Sequence, residues 1–205
     1  MNKNLFIAFE GIDGSGKSTQ VELLAASLTK AGHKVYSTFE PTKSDMGIMI
    51  RNIFSGKKEA DHKTIAALFL ADRFHHLLNK TNGLIKKMEE DYTVITDRYY
   101  FSSYAYHSVH MPMDWVIAIN KPCADLLKPD LTVYIDISPE LSMERITESR
   151  ESIELYETLE NLTNVRNKYM EAFDLLGTNE NVFITDGNRL PDAIAKDILG
   201  KILEL

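Results

Sequence analysis

Eight residues near the start of the chain constrain it most. Gly11-Ile12-Asp13-Gly14-Ser15-Gly16-Lys17-Ser18 fits the pattern G-x-x-x-x-G-K-[ST] at every position. The pattern follows a short apolar, β-rich run, Leu5–Glu10, and opens a helical run, Lys17–Lys30. Strand, glycine turn and helix in that order make a phosphate cradle. Glycines let the backbone close around phosphate oxygens so that several N–H groups point inward. The first turn of the helix adds its positive dipole end at the same place. Lys17 supplies an ammonium for the outer phosphates, and the Ser18 hydroxyl can ligate Mg²⁺. A glycine turn with no ligand is the plain alternative; the flanking strand and helix favour nucleotide binding.

The rest of the chain repeats the strand–helix alternation. Strand candidates are Leu5–Glu10, Val35–Phe39, Tyr92–Thr96, Leu131–Asp136 and Val182–Thr185. Each is short and largely apolar on both faces, as buried parallel strands are. Helical stretches lie between them: Lys17–Lys30, Thr64–Glu89 with a possible break at Asn82-Gly83, Ser138–Thr147, Tyr156–Leu176 and Pro191–Leu203. Such alternation predicts an α/β fold in which a five-stranded parallel sheet carries helices on both faces. With no repeat, linker or low-complexity tract, residues 1–205 read as a single domain.

Composition narrows the function classes. Lys plus Arg number 23 against 30 Asp plus Glu, a formal charge of −7. A sequence-independent grip on polymeric nucleic acid needs a basic footprint, and this chain lacks one. Cys123 is the one cysteine, which excludes an intrachain disulfide scaffold. No stretch approaches the ~20 apolar residues of a membrane helix, and the run after Met1-Asn2-Lys3-Asn4 is too short for a signal-peptide core. The expected address is the cytoplasm, with no membrane partner. His75-His76 and His107-x-x-His110 lack the surrounding ligands of a metal centre, so structural roles are expected for them.

In an open parallel sheet, ligands bind beyond the carboxyl ends of the strands. The third strand ends in Thr96-Asp97-Arg98-Tyr99, which sets a carboxylate and a guanidinium beside the phosphate loop. Asp97 suits the water shell of a metal, and Arg98 can bridge donor and acceptor phosphates; a surface Asp–Arg ion pair is the alternative. The second strand leads into Glu40-Pro41-Thr42 and a segment carrying Arg51, a possible clamp on a second substrate's phosphate or else a solvated helix charge. In Leu68-Phe69-Leu70-Ala71-Asp72-Arg73, Phe69 and Arg73 are four apart and share a helix face. A ring and a guanidinium there can grip a nucleobase, though such a pair is more often a core Phe beside a surface Arg. A GTPase switch is disfavoured: Asn120-Lys121-Pro122-Cys123 has Cys where N-K-x-D needs Asp, and Asp97-Arg98-Tyr99-Tyr100 lacks the glycine of D-x-x-G.

These residues together resemble the thymidylate kinase family of nucleoside monophosphate kinases. The resemblance runs over Phe9–Thr19, Glu40-Pro41, Arg51, Leu68-Phe69 with Arg73, Asp97-Arg98-Tyr99, Ser102-Ser103-Tyr104-Ala105-Tyr106 and Lys128–Asp136. It implies a P-loop NTPase fold with a helical lid over about residues 140–160, and a Mg²⁺-dependent homodimer that moves the ATP γ-phosphoryl group to dTMP, in dTTP biosynthesis. On this resemblance Gly11 to Thr19, Arg145, Asn188 and Arg189 hold ATP, and Ser18, Asp13 and Asp97 serve the metal. The dTMP site takes Glu40, Pro41, Arg51, Phe69, Arg73, Arg98, Ser102, Ser103, Tyr106, His107 and Tyr156. Phe69 is expected to stack on thymine, Arg73 to bond its edge, and Tyr156 to pack on the deoxyribose. Lys17, Asp13, Arg98 and Arg150 carry the catalysis. Gly14 stands where some members have a catalytic arginine, so the resemblance places that arginine in the lid, at Arg150, with Arg145, near the adenine, as the alternative.

The chain departs from the family pattern at Phe39, usually Arg, at Thr42-Lys43, usually Gly-Gly, and at His107, usually Gln or Asn. Two rival readings remain: a kinase for another monophosphate or a deoxynucleoside, and a nucleotide-dependent regulator that slowly hydrolyses ATP.

Overall fold

In a computed structural model of the chain, which describes residues 4–149, 154–177 and 179–205, the five expected strands pair into one all-parallel sheet. They are β1 (Phe6–Glu10), β2 (Val35–Phe39), β3 (Thr93–Asp97), β4 (Leu131–Asp136) and β5 (Val182–Asp186), in the spatial order β2-β3-β1-β4-β5. Strand β1 has all five residues buried, because helices cover both of its faces. Ile7 and Phe9 pack with Leu131, Val133 and Ile135 under helices α1 (Lys17–Lys30) and α9 (Pro191–Ile202). Phe6 and Ala8 face the opposite layer, which contains α3 (His62–Leu78), α5 (Tyr100–His107), α6 (Met113–Leu126) and α8 (Leu159–Leu176). Burying each such Ile or Phe contributes roughly 1.5–3 kcal/mol. The register sets Phe9 opposite Asp97 and Glu10 opposite Tyr134, so the loops after β1, β3 and β4 open at one edge.

The helices follow the expectation in part. Helix α1 has the expected bounds, and the long stretch after residue 62 divides into α3 and α4 (Leu84–Glu89) around the Asn82-Gly83 turn. Helix α7 (Pro139–Ser149) begins at the proline as expected, whereas α8 starts at Leu159 rather than Tyr156. The Thr158 side chain accepts the Asn161 N–H and caps the helix there, leaving Tyr156 outside it. Helices α5 and α6 were not anticipated. The first, Tyr-Phe-Ser-Ser-Tyr-Ala-Tyr-His, has an aromatic content more typical of strands. The second contains Pro122, which normally ends a helix. Among the described residues no helix is long and apolar enough to cross a membrane. Burial pushes the Cys123 thiol up to about 11, so it remains protonated near neutrality.

Helix α2 (Asp45–Phe54) carries Arg51 and depends on one buried carboxylate. Asp72, only 1% exposed, accepts from the Thr42 N–H, the Thr42 hydroxyl and the Ser44 hydroxyl. Ser44 is the residue that caps α2, accepting from the Gly47 N–H. One side chain on α3 thereby anchors the turn that starts α2. Asp72→Ala strands three donors and is expected to cost about 3 kcal/mol, read as a lower urea midpoint. A loss below about 1 kcal/mol contradicts this account.

Candidate active site

Loop Gly11–Ser18 leaves β1 and enters α1 through backbone that suits glycine. Gly11 has φ +147° and Gly14 φ +73°. A Cβ at Gly11 would lie 2.7 Å from the Ile135 carbonyl oxygen, and one at Gly14 would lie 2.9 Å from that of Ser142 on α7. The loop is wedged between β4 and the lid helix, which explains why residue 14 has no side chain here. Lys17 curls back over the loop, donating to the carbonyls of Gly11 at 3.1 Å and Ile12 at 2.9 Å. Burial, then the nearby Arg98 charge, pulls its pKa down to about 8. Ile12 itself is a core side chain.

A cleft of about 890 Å³ lies over this loop, lined by Asp13 to Thr19, Asp97, Arg98, Arg145 and Arg189, among others. Arg145 donates to the carbonyls of Gly14 (3.3 Å) and Gly187 (3.1 Å), which spans the cleft from phosphate loop to the turn after β5. Arg189 pairs with Asp197 at 2.6 Å. Asn188 is exposed and is not among the lining residues. The Ser18 hydroxyl donates to Asp97 at 2.7 Å. Hydroxyl and carboxylate oxygens are the hard ligands Mg²⁺ takes, and that ion needs only one or two from the protein when phosphates supply others. Ser18 and Asp97, with Asp13 across the loop, therefore fit Mg²⁺, although the described residues hold no cluster of three or more His, Cys, Asp or Glu.

A second cavity, about 240 Å³, joins the first. Its walls include Asp13, Pro41, Arg51, Phe69, Arg98, Ser102, Ser103, Tyr106, His107 and Tyr156. The two share Asp13, Phe39 and Arg98. Arg98 sits at φ +74°, a conformation non-glycine residues adopt only under constraint. Its guanidinium pairs with Asp13 at 2.6 Å, while Asp97 takes the Ser18 hydroxyl. It also donates to the Gly11 carbonyl, the Ser102 hydroxyl and Tyr106 Oη. Burial pushes the Asp13 carboxyl up, but the Arg98 and Lys17 charges and the Tyr106 hydroxyl outweigh it and hold the pKa at about 2. Arg51 donates to the carbonyls of Pro41 and Thr42, both at 2.7 Å, and so shapes the turn after β2.

Arg73 differs from expectation. It is 1% exposed, and its guanidinium donates to Glu40, Ser103, Asn120 and the Tyr99 carbonyl. All five N–H donors of the group are occupied. Phe69 lines the second cavity and Arg73 lies beneath its wall, touching it through Ser103. Glu40 also faces inward: its oxygens take Arg73 at 2.7 Å and His76 at 3.0 Å. These two charges brace the wall rather than offer free groups to a ligand. His76, for which a structural role was expected, has one here against Glu40; the supporting roles of Asn120 and Glu10 were missed, and only Glu10 had a visible signal, a carboxylate one residue before the phosphate loop.

His107 is 2% exposed, edge-on to Phe69, and neither ring nitrogen has a partner. Burial, then Arg73, pushes its pKa down to about 3. A neutral imidazole with one donor and one acceptor therefore faces the cavity. Tyr156 packs edge-on to Phe54 and its hydroxyl meets His62 Nδ1 at 3.1 Å. Arg150 lies outside the described residues.

Two cavities, one over the phosphate loop, the other small and walled by rings, meet at Asp13, Phe39 and Arg98. That layout offers two adjoining sites, one over the phosphate loop and one lined by rings. The family model for thymidylate kinase matches residues 9–198. This chain belongs to the thymidylate kinase family. It is 36% identical to a probable thymidylate kinase of Methanococcus aeolicus, covering 98% of this chain and 97% of that one. It is 39% identical to another of Methanocaldococcus jannaschii, over 83% of this chain and 82% of the relative. A thymidylate kinase of Leptospira borgpetersenii is 32% identical, with 97% and 93% covered. Membership of the family makes the chain a kinase, with ATP as the phosphate donor.

Lys17 gives a direct test of the cleft. Its charged form is disfavoured in the free protein, and bound phosphates restore it, so ATP binding near pH 8 should take up a proton. Calorimetry in two buffers of different ionisation enthalpy should show net uptake at pH 8–9, where free Lys17 is partly neutral, fading toward pH 6 as the ammonium is already formed. Lys17→Arg, always charged, should show none. Heats independent of buffer across that range contradict the assignment.

Proposed function

We infer that this chain transfers the γ-phosphoryl group of ATP to dTMP, giving dTDP and ADP and so feeding dTTP synthesis. The observation that carries this reading is the meeting of the two cavities at Asp13 and Arg98. A donor phosphate on the loop and an acceptor phosphate in the smaller cavity would face each other across that pair. Little covalent chemistry is asked of the protein, since catalysis of this transfer is in-line positioning with charge stabilisation. The attacking oxygen of dTMP is already ionised, so no general base is needed.

In this reading Lys17 and the loop N–H groups hold the outer phosphates. Arg98, freed from part of its contact with Asp13, bridges donor and acceptor, and Arg51 takes the acceptor phosphate. Phe69 stacks on thymine, and Tyr156 packs on the deoxyribose. Neutral His107 meets the base edge, with Ser103 and Tyr106 lining base and sugar. Bound Mg²⁺ would shield the β- and γ-phosphate charge, held through Ser18 and Asp97 with Asp13 nearby. The family resemblance supports a homodimer in the cytoplasm as the working unit.

A turnover panel of dTMP, dUMP, UMP, CMP, AMP, GMP and thymidine with ATP and Mg²⁺ tests the reading. dTMP should be fastest, and phosphate release without an acceptor should be slow. Another fastest acceptor changes the substrate; rapid acceptor-free hydrolysis points to a regulator instead. Arg150 is the proposed finger in cis. Arg150→Ala should lower kcat by roughly 10³-fold or more while dTMP binding persists, and an intact kcat ends that assignment.

A further inference from the structure

A second carboxylate stands behind the Asp13–Arg98 pair. Glu10, the last residue of β1, is completely buried and accepts four hydrogen bonds. Its Oε1 takes the N–H groups of Tyr99 at 2.9 Å and Ser102 at 3.2 Å. Its Oε2 takes the Ser102 hydroxyl at 2.6 Å and the Tyr169 hydroxyl at 2.9 Å. The first two donors belong to the N-terminal turn of α5, whose N-cap residue, Tyr99, makes no side-chain cap. A helix start leaves such N–H groups without partners and favours a negative charge. Here the cap arrives from a strand some ninety residues earlier.

The hydrogen bonds also have a direction. Arg98 Nη1 donates to Ser102 Oγ at 3.0 Å, and the Ser102 hydroxyl in turn donates to Glu10 Oε2. Arg98 at φ +74° stays in that conformation only where its surroundings over-determine it. The Glu10 contact to the next N–H, that of Tyr99, and the path through Ser102 supply that constraint from two sides.

We propose that Glu10 is a positioning residue for phosphoryl transfer: from the strand that carries the phosphate loop, it clamps the turn before α5 and sets where Arg98 stands between the two phosphates. The proposal rests on the reading of the cleft as a dTMP kinase site. Because α5 also carries Ser103, Tyr106 and His107, the same carboxylate ties the acceptor wall to the donor loop. Burial pushes the Glu10 carboxyl pKa up, and the hydrogen bonds from Ser102, Tyr169 and Tyr99, with the Arg98 charge, act against that; an amide offers one oxygen and cannot accept all four of these contacts. In Glu10→Gln the half that faces Ser102 and Tyr169 becomes a donor, so Ser102 Oγ receives N–H groups from both sides and must turn its own proton from Glu10 to the Tyr169 hydroxyl, 2.9 Å away. That turn of the Ser102 hydroxyl displaces the contact to Arg98, while the loop itself is untouched.

The experiment measures kcat, KM for ATP, KM for the acceptor and the melting temperature of Glu10→Gln in the full chain. The expected result is a folded protein with kcat lower by about 10- to 100-fold, the loss that a misplacement near 1 Å produces, and KM for ATP within about twofold of the parent. A kcat within about twofold of the parent, or a rise in KM for ATP as large as the fall in kcat, overturns the proposal. A lowered melting temperature with parental kcat is the purely structural outcome and overturns it too. Should Glu10→Gln fail to fold, Glu10→Asp, which keeps the charge but draws it back from the turn, carries the same criteria. The double variant with Ser102→Ala should be no slower than the slower single variant, because both break one path; multiplied losses contradict the route through Ser102. All rates use whichever acceptor the parent turns over fastest, so an error about dTMP shows in the parent and an error about Glu10 in the comparison.

Discussion

Two cations, Lys17 and Arg98, are held against one turn of backbone, and most of the site follows from keeping them there. Burial and the Arg98 charge depress the Lys17 pKa, so the ammonium is held at a cost that a phosphate group relieves. Asp13 offsets Arg98 at 2.6 Å without removing it, since the same arginine also touches the Gly11 carbonyl, Ser102 and Tyr106. The formal charge of −7 describes the chain as a whole. Around the phosphate loop Lys17, Arg98 and Arg145 stand close together, and cations placed in this way act locally, whatever the net charge.

The sheet makes this arrangement possible. With β1 between β3 and β4, the phosphate loop, the Asp97–Arg98 turn and the turn beneath α7 open on one edge. At or just beyond three strand ends stands a carboxylate with an assigned partner: Glu10 holds the start of α5, Glu40 holds Arg73 and His76, and Asp97 takes the Ser18 hydroxyl. Each is buried or half-buried, where a polar group without a partner is costly. These contacts therefore join the rigid sheet to the loops that face substrate, and they do so through hydrogen bonds of fixed direction.

Much of this was legible beforehand. The phosphate loop is a local motif, and short apolar runs separated by helical ones lead to a parallel sheet by simple periodicity. Among the positions singled out by short-range chemistry, Ser18, Asp97 and Arg98 line the cleft over the phosphate loop. Helices α5 and α6 were not legible, because their aromatic content and Pro122 argue against helix when packing is unknown. Arg73 shows the limit most clearly. Its spacing from Phe69 indicates a shared face, yet spacing cannot say that Glu40, Ser103 and Asn120 would enclose the guanidinium from three other segments.

From the sequence alone came the strand–loop–helix cradle, the class of ligand it binds and the family, since all three depend on residues adjacent in the chain. Tertiary structure decided which charges are offered to a ligand and which are consumed as struts. That choice depends on partners brought together from distant segments: Asp13 with Arg98, Glu40 with Arg73, Glu10 with Ser102 and Tyr169. An arginine reads the same in a sequence whether it grips a phosphate or a buried glutamate. Only its surroundings determine whether its donors are free.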